Sequence, residues 1–424
     1  MNNRDTVIKI LAECSRLLIG VVFIFSGFVK AVDPMGGAIK ISEYLVSFGF
    51  DKLQPFSVLL SFNLSAIEFM LGVCMLLGVY RRYTSFWVLI FMAFMTPLTL
   101  YLALFDPVSD CGCFGDALVI SNWETFFKNV VLSAAAIITF KYNQRLFQCY
   151  TYWVYWLVVL YAYLFGVGFA FFYYNHFPII DFRPYKVGVN IPQLMDIPEG
   201  APEDEYKYTF IYEKEGVKKE FSLEDFPTND SSWTFVESKS VLFKKGYQPQ
   251  ITDFNIYNKT GEEVTDDIIR SSGLVFLLIS PKLEMADDEQ MDVINGVYDY
   301  AFEHHIPFYG VTGSSSETMD VWSENTGAEY PFLVADEVLL KTIIRSNPGL
   351  VLLENGTILG KWHYNDIPKE EEIAKEIDHC LGQNEIKRKE EGTLIFNLLT
   401  FTVPLLLVWV YDLFRFRRKQ KRKE

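Results

Sequence analysis

Two cysteines separated by one glycine, Cys111 and Cys113 in Ser109-Asp110-Cys111-Gly112-Cys113-Phe114-Gly115-Asp116, are the residues of this 424-residue chain best placed to do chemistry. Of the six cysteines, Cys14, Cys74, Cys149 and Cys380 have no close neighbour in sequence. Two thiols at this spacing can close a small ring, with glycine supplying the backbone bend. Strained and exposed rings of this kind exchange readily with other thiols. A bridge over one residue constrains little of the unfolded chain, so it stabilises little. A loop staple stays open as a reading. So does a metal site with Asp110 and Asp116, although no histidine stands nearby to complete it, and no metal is expected.

Charged residues inside apolar stretches come next, Glu68, Lys30 and Arg16 among them, each costly unless it faces protein or a cavity. Glu68 lies midway along the second stretch and can pair with Lys30 or handle protons. Arg16 lies a turn and a half into the first, where it can snorkel to the membrane surface. The phenylalanines and methionines of the third stretch (Phe86, Phe91, Met92, Phe94, Met95) read as lipid contact and packing.

The elements that position these residues follow from hydropathy. Half of the chain is hydrophobic, 16% is aromatic, and mean hydropathy is +0.15. That excludes a disordered polymer and disfavours one water-soluble globule. Six apolar stretches approach the roughly 20 residues needed to cross hydrocarbon: 11–32, 57–80, 84–105, 123–140, 152–172 and 394–414. The fourth is short and carries Glu124 and Lys128, whose i,i+4 spacing allows a pair. The first is expected to be retained, being too long for a signal peptide and lacking a small-residue cleavage site.

Lys and Arg collect on one side of these stretches, at Arg4, Lys9, Arg81, Arg82, Lys141, Arg145 and the run from Arg415. Positive charge marks the cytoplasmic side, which puts both termini in the cytoplasm and the Cys pair outside. Residues 173–391 hold 20 Lys+Arg against 41 Asp+Glu, leaving +6 for the remainder of a chain whose total is −15. The acidic segment is therefore expected outside, in the periplasm of a bacterial inner membrane. Nucleic acid is excluded as a partner, because the chain lacks the basic face that phosphates require.

The external segment divides into a β-rich module and an α/β part. Strands are expected at 206–212, 219–223 and 233–243, then at 274–279, 307–311, 350–354 and 358–363. Helices are expected at 288–304, 317–325, 337–344 and 369–381. Residues 33–56 read as a loop. The domain plan is a four-span unit (1–145), a fifth span (146–173), the β-rich module (174–246), the α/β domain (247–392), and a sixth span with a basic tail (393–424).

Residues 251–382 resemble the thioredoxin-like fold of peroxiredoxins and TlpA-type periplasmic proteins. The resemblance rests on Asp253-Phe254, Gly261 and Asn347-Pro348 ahead of Leu350-Val351-Leu352-Leu353-Glu354-Asn355-Gly356. It implies a cis proline at Pro348. Where that family carries its Cys-x-x-Cys, this chain reads Ser280-Pro281-Lys282-Leu283, so the domain itself has no dithiol chemistry.

Cys-Gly-Cys-Phe-Gly-Asp after a third span, with Arg16, Gly20, Phe25, Gly27, Lys30, Asp33, Pro34 and Tyr44 in the first segment and Glu68, Gly72, Gly78 and Arg81-Arg82 in the second, resembles MauE-type proteins of the MauE/DoxX family. The fused layout is similar to such membrane proteins of the Bacteroidetes. The resemblance implies a redox-associated role: MauE proteins are linked to disulfide formation during methylamine dehydrogenase maturation, and the bundle is similar to that of vitamin K epoxide reductase. What it implies here is thiol–disulfide exchange through Cys111 and Cys113 with periplasmic client proteins, a membrane acceptor such as quinone, and client docking by the thioredoxin-like domain. The competing expectation is a non-enzymatic scaffold whose external domain binds a periplasmic partner.

Overall fold

The structure, a computed structural model, describes residues 3–421 apart from 109–110, 179, 199, 203, 215–216, 223–232 and 253. The N-terminal part is helical: α1 (Asn3–Val32), α2 (Pro34–Ser47), α3 (Ser57–Leu77), α4 (Arg81–Phe105), α5 (Asn122–Lys141) and α6 (Tyr155–Asn175). Helix α1 packs along α3 and α5, α4 along α5, and α6 along α3. The bundle core is Ile19, Phe23, Leu71, Met75, Val88, Met92, Leu132 and Ala136.

Small residues set the α1–α3 spacing. A Cβ at Gly27 would lie 2.4 Å from the Phe69 nitrogen, and one at Gly72 2.5 Å from the Ile24 nitrogen. Among the described residues, four segments are long and apolar enough to cross a membrane, Asp51–Leu77, Arg81–Phe105, Tyr152–Asn175 and Gly392–Arg415. Helices α1 and α5, the first and fourth expected spans, are not among them.

Two readings from the sequence are revised here. Residues 34–47 are helix rather than loop, because Asp33 accepts from the Gly36 nitrogen as N-cap and Pro34 occupies the first turn. Glu124 takes part in a capping box with Ser121, while the Lys128 ammonium lies 4.1 Å from the centre of the Phe114 ring; each is engaged elsewhere than with the other.

After the short α7 (Ile191–Met195) come β1 (Glu205–Lys214), β2 (Val217–Ser222) and β3 (Thr234–Lys244), an antiparallel sheet in the order β2-β1-β3. The α/β domain holds β4 (Ile256–Tyr257), α8 (Thr265–Ile269), β5 (Leu274–Ser280), α9 (Met291–Glu303), β6 (Phe308–Thr312), α10 (Ser316–Thr326) and β7 (Phe332–Ala335). It continues with α11 (Glu337–Ile343), β8 (Gly349–Glu354), β9 (Thr357–His363) and α12 (Glu370–Leu381), before α13 (Gln383–Lys421) returns to pack on α6. The sheet order is β4-β7-β6-β5-β8-β9, with β5, β6 and β7 parallel, β8 antiparallel to β5, and β9 antiparallel to β8.

Strand β5 is apolar up to Ile279 because both faces are covered. Val275, Leu277 and Ile279 join one core layer and Phe276 and Leu278 the other. Strands β4 and β7 had no counterpart among the expected elements: they are two and four residues long, below the length at which alternation is legible. The Asn347–Pro348 peptide is cis. This strand order, with a cis proline opening the central antiparallel strand, is the thioredoxin-like arrangement.

Candidate functional site: a buried thiol pair over an ion pair

The Cys loop is held at both ends and in the middle. Helix α4 stops at Asp106, whose φ is +46°. The Asn122 side chain at the start of α5 donates to Asp106 Oδ1 at 2.8 Å and to the Val108 carbonyl at 3.1 Å. Gly112 turns the chain with φ +64°, a conformation that disfavours any side chain. Tyr44 Oη donates to the Cys111 carbonyl and Ser26 Oγ to the Cys113 carbonyl, each at 2.7 Å. The two sulfurs are thiols 2.8 Å apart. The exposed pair expected from sequence is instead covered, at 7% and 9% exposure, by Leu102, Val108, Tyr44 and Met95.

Beneath the loop sits a buried ion pair. Lys30 Nζ donates to the Glu68 oxygens at 2.7 and 2.8 Å, and Ser26 Oγ lies 2.7 Å from Glu68 Oε2. Ser26 is thus shared between Glu68 and the Cys113 carbonyl. The Cys111 thiol, hydrogen-bonded to Cys113, pulls the Cys113 thiol down to about 6; burial opposes this, and the Lys128 and Lys30 charges assist it. The same hydrogen bond, with burial, raises Cys111. Cys113, beside the Lys128 and Lys30 charges, is the sulfur better placed to carry the thiolate.

A crevice of about 30 Å³ touches Cys113, Ser26, Lys30, Glu68 and Lys128, room for a single water. Its apolar side is Phe23, Phe91, Met92 and Met95. Met92, one of the residues read as lipid contact and packing, is buried in the bundle. A quinone ring does not fit this crevice. Among the described residues, no group of three or more His, Cys, Asp or Glu side chains is gathered as a metal would need.

The structure sorts the remaining expected site residues. Asp110 lies outside the described residues. Arg16 does not belong to the site. It is 14 positions before Lys30 on α1, about 21 Å along the axis, and bonds Glu13 at 2.6 Å and the carbonyls of Met75, at 3.0 Å, and Leu76. There it closes the C-terminal end of α3, a position that favours a cation. Asp116 meets Arg345 of the thioredoxin-like domain: Arg345 Nη2 bonds Asp116 Oδ2 at 3.0 Å and its Nε bonds Asp33 Oδ2 at 3.1 Å.

Arg345 stands three residues before Pro348, so the cis-proline end of the domain faces the bundle. At that end Ser280 Oγ donates to Asn347 Oδ1 at 2.6 Å, Asn347 Nδ2 to the Lys282 carbonyl at 2.9 Å, and the Leu283 nitrogen to Ser314 Oγ at 3.0 Å. The place of the family's dithiol is thus filled by a closed polar network. Between domain and bundle runs a cleft of about 730 Å³, with Gly36, Gly112 and Asp116 on one wall and Phe182, Val338 and Arg345 on the other. Ser26, Tyr44, Lys128 and Arg345 were not singled out from sequence as site residues. Lys128, a charge in an apolar stretch, and Tyr44, part of the family resemblance, offered usable signals.

Three solved structures are similar to the thioredoxin-like part. One is a Bacteroides thetaiotaomicron protein provisionally assigned as a protein disulfide isomerase, at 20% identity, TM-score 0.24, covering 32% of this chain and 85% of its own. The second is the peroxidoxin BcpB of Mycobacterium tuberculosis, at 12% and 0.24, covering 31% and 94%. The third is the Xanthomonas campestris bacterioferritin comigratory protein, at 13% and 0.22, covering 32% and 92%. No curated protein matches the sequence. Residues 206–245 match a model described as a domain of unknown function (DUF8463), and residues 8–141 match the model described as Methylamine utilisation protein MauE. The N-terminal third of the chain is thus similar to the MauE model, and it is followed by an α/β domain with the strand order described above.

Proposed function

We propose that this protein is a membrane thiol–disulfide exchanger acting through Cys111 and Cys113, with six spans, both termini in the cytoplasm and the thioredoxin-like domain in the periplasm. The observation that carries the reading is the 2.8 Å contact between two thiols in a loop that borders the interdomain cleft at Gly112. In the oxidised form, a client thiolate attacks the Cys111 sulfur and Cys113 leaves as thiolate, the lower-pKa sulfur being the better leaving group. The second client thiol gives up its proton and attacks the client sulfur of the mixed disulfide. Cys111 then leaves and is protonated, so the client gains a disulfide and the pair becomes a dithiol. Lys30 and Lys128 favour the departing Cys113 charge.

Regeneration removes two electrons and two protons from the pair. A quinone is the acceptor proposed from the family resemblance, and the crevice of about 30 Å³ beside Cys113 does not seat its ring. The scaffold reading is favoured by one observation, the closed polar network where the family's dithiol would stand. Trapping in cells separates the two. Cys113→Ala chains should accumulate client adducts through Cys111, and their absence, with the protein present in the membrane, would leave the scaffold. A phosphatase fused after Gly246 should be active, and an inactive fusion would overturn the orientation.

A further inference from the structure

The loop carrying the thiols is held by bundle residues, Tyr44, Ser26 and Asn122, and by one cation of the external domain, Arg345. Arg345 is mostly buried, with 17% of its side chain exposed. It divides its guanidinium between Asp33 and Asp116, and its Nη1 donates to the Lys341 carbonyl at 2.8 Å. Its two acidic partners differ in what they control. Asp33 caps α2. Asp116 stands three residues after Cys113, in the short helical turn Gly115–Ala117, so its movement is transmitted directly to the thiol loop. A charge-assisted fork of this kind fixes geometry as well as contributing energy.

We infer that Arg345 is a latch: by holding Asp116 it keeps the thiol loop shut, and the thioredoxin-like domain governs access to the sulfurs. At 7% and 9% exposure the pair is not open to a folded client, so exchange requires the loop to lift. Releasing Arg345 removes the restraint it places on Asp116. The cis-proline end of the domain is thereby the bundle's own partner in the shut state. A client that draws the domain away exposes the thiols at the moment of contact. Arg345 is a positioning residue, since it touches neither sulfur. The role given to the client rests on the exchange reading; the latch does not.

The test measures accessibility, with no client and no acceptor. The full chain is purified in detergent and reduced, with Cys14, Cys74, Cys149 and Cys380 replaced by alanine, and labelled with a maleimide-linked polyethylene glycol. Arg345→Ala should label at Cys111 and Cys113 about tenfold faster, the ratio expected for loss of a partly buried, forked ion pair. Arg345→Lys, which keeps charge but not the fork, should fall between. Asp116→Asn should also label faster while leaving the Asp33 contact intact, and it carries the test if Arg345→Ala does not fold. Unchanged or slower labelling in the folded single variants would overturn the latch. Failure of the exchange reading looks different: labelling accelerates as stated, yet no client adduct forms in cells carrying Cys113→Ala, with or without Arg345→Ala.

Discussion

Replacing Cys111 by alanine removes the hydrogen bond that most lowers Cys113, so the Cys113 thiol should rise from about 6 toward its ordinary 9.0. At pH 7 a thiol at 6 is about 91% thiolate and one at 9 about 1%, roughly a 90-fold loss of reactive form. Nucleophilicity rises with pKa at a Brønsted slope of about 0.4–0.5, so a rise from 6 to 9 returns about 16- to 32-fold. The net expectation is alkylation about three- to six-fold slower at pH 7 and, because the thiolate is then regained, about ten-fold faster near pH 9. The assay is iodoacetamide labelling of Cys113 against pH, followed by peptide mass, in chains whose other four cysteines are alanine. A crossing of the two profiles is the expected signature. A Cys111→Ala profile that keeps its midpoint near 6 would refute the assignment of Cys111 as proton donor.

Lys30→Met leaves Glu68 buried without its cation and should destabilise the bundle by about 3–5 kcal/mol, while Lys30→Met with Glu68→Leu should recover most of the loss; thermal unfolding in detergent reads both. Gly27→Leu forces a side chain against the Phe69 backbone and should cost at least about 1–3 kcal/mol, seen as a lower melting temperature or loss of folded protein. Burial lowers His363 to about 4, so the unfolded chain binds more protons between there and the ordinary 6.5. Stability of the external domain should fall as pH drops through that window, and His363→Gln should flatten this limb of the stability–pH curve.

The Cys-Gly-Cys loop, the Lys30–Glu68 pairing option and most strands of the thioredoxin-like sheet were legible because each is a local pattern: a spacing, a charge in an apolar stretch, an alternation. The hydrogen bonds from Ser26 and Tyr44 were not, because they end on backbone carbonyls, which carry no sequence signature. Arg345 and Asp116 are 229 positions apart, and nothing local connects them. Helix α2 was readable in principle from Asp33-Pro34, a cap followed by proline. Gly36 and Gly37 masked it, since glycine weakens a helix reading.

The pairing of Lys30 with Glu68 bears on how the chain enters the membrane. On the six-span reading, α1 emerges from the ribosome well before α3, and a lone Lys30 faces lipid until its carboxylate arrives. A single buried cation costs about 2.5–3.5 kcal/mol at mid-bilayer on insertion scales, and less toward the interface. The lower-energy route is for α1 to wait at the insertion machinery and partition together with α3 as a neutral hairpin, which makes biogenesis of the thiol platform a two-helix event.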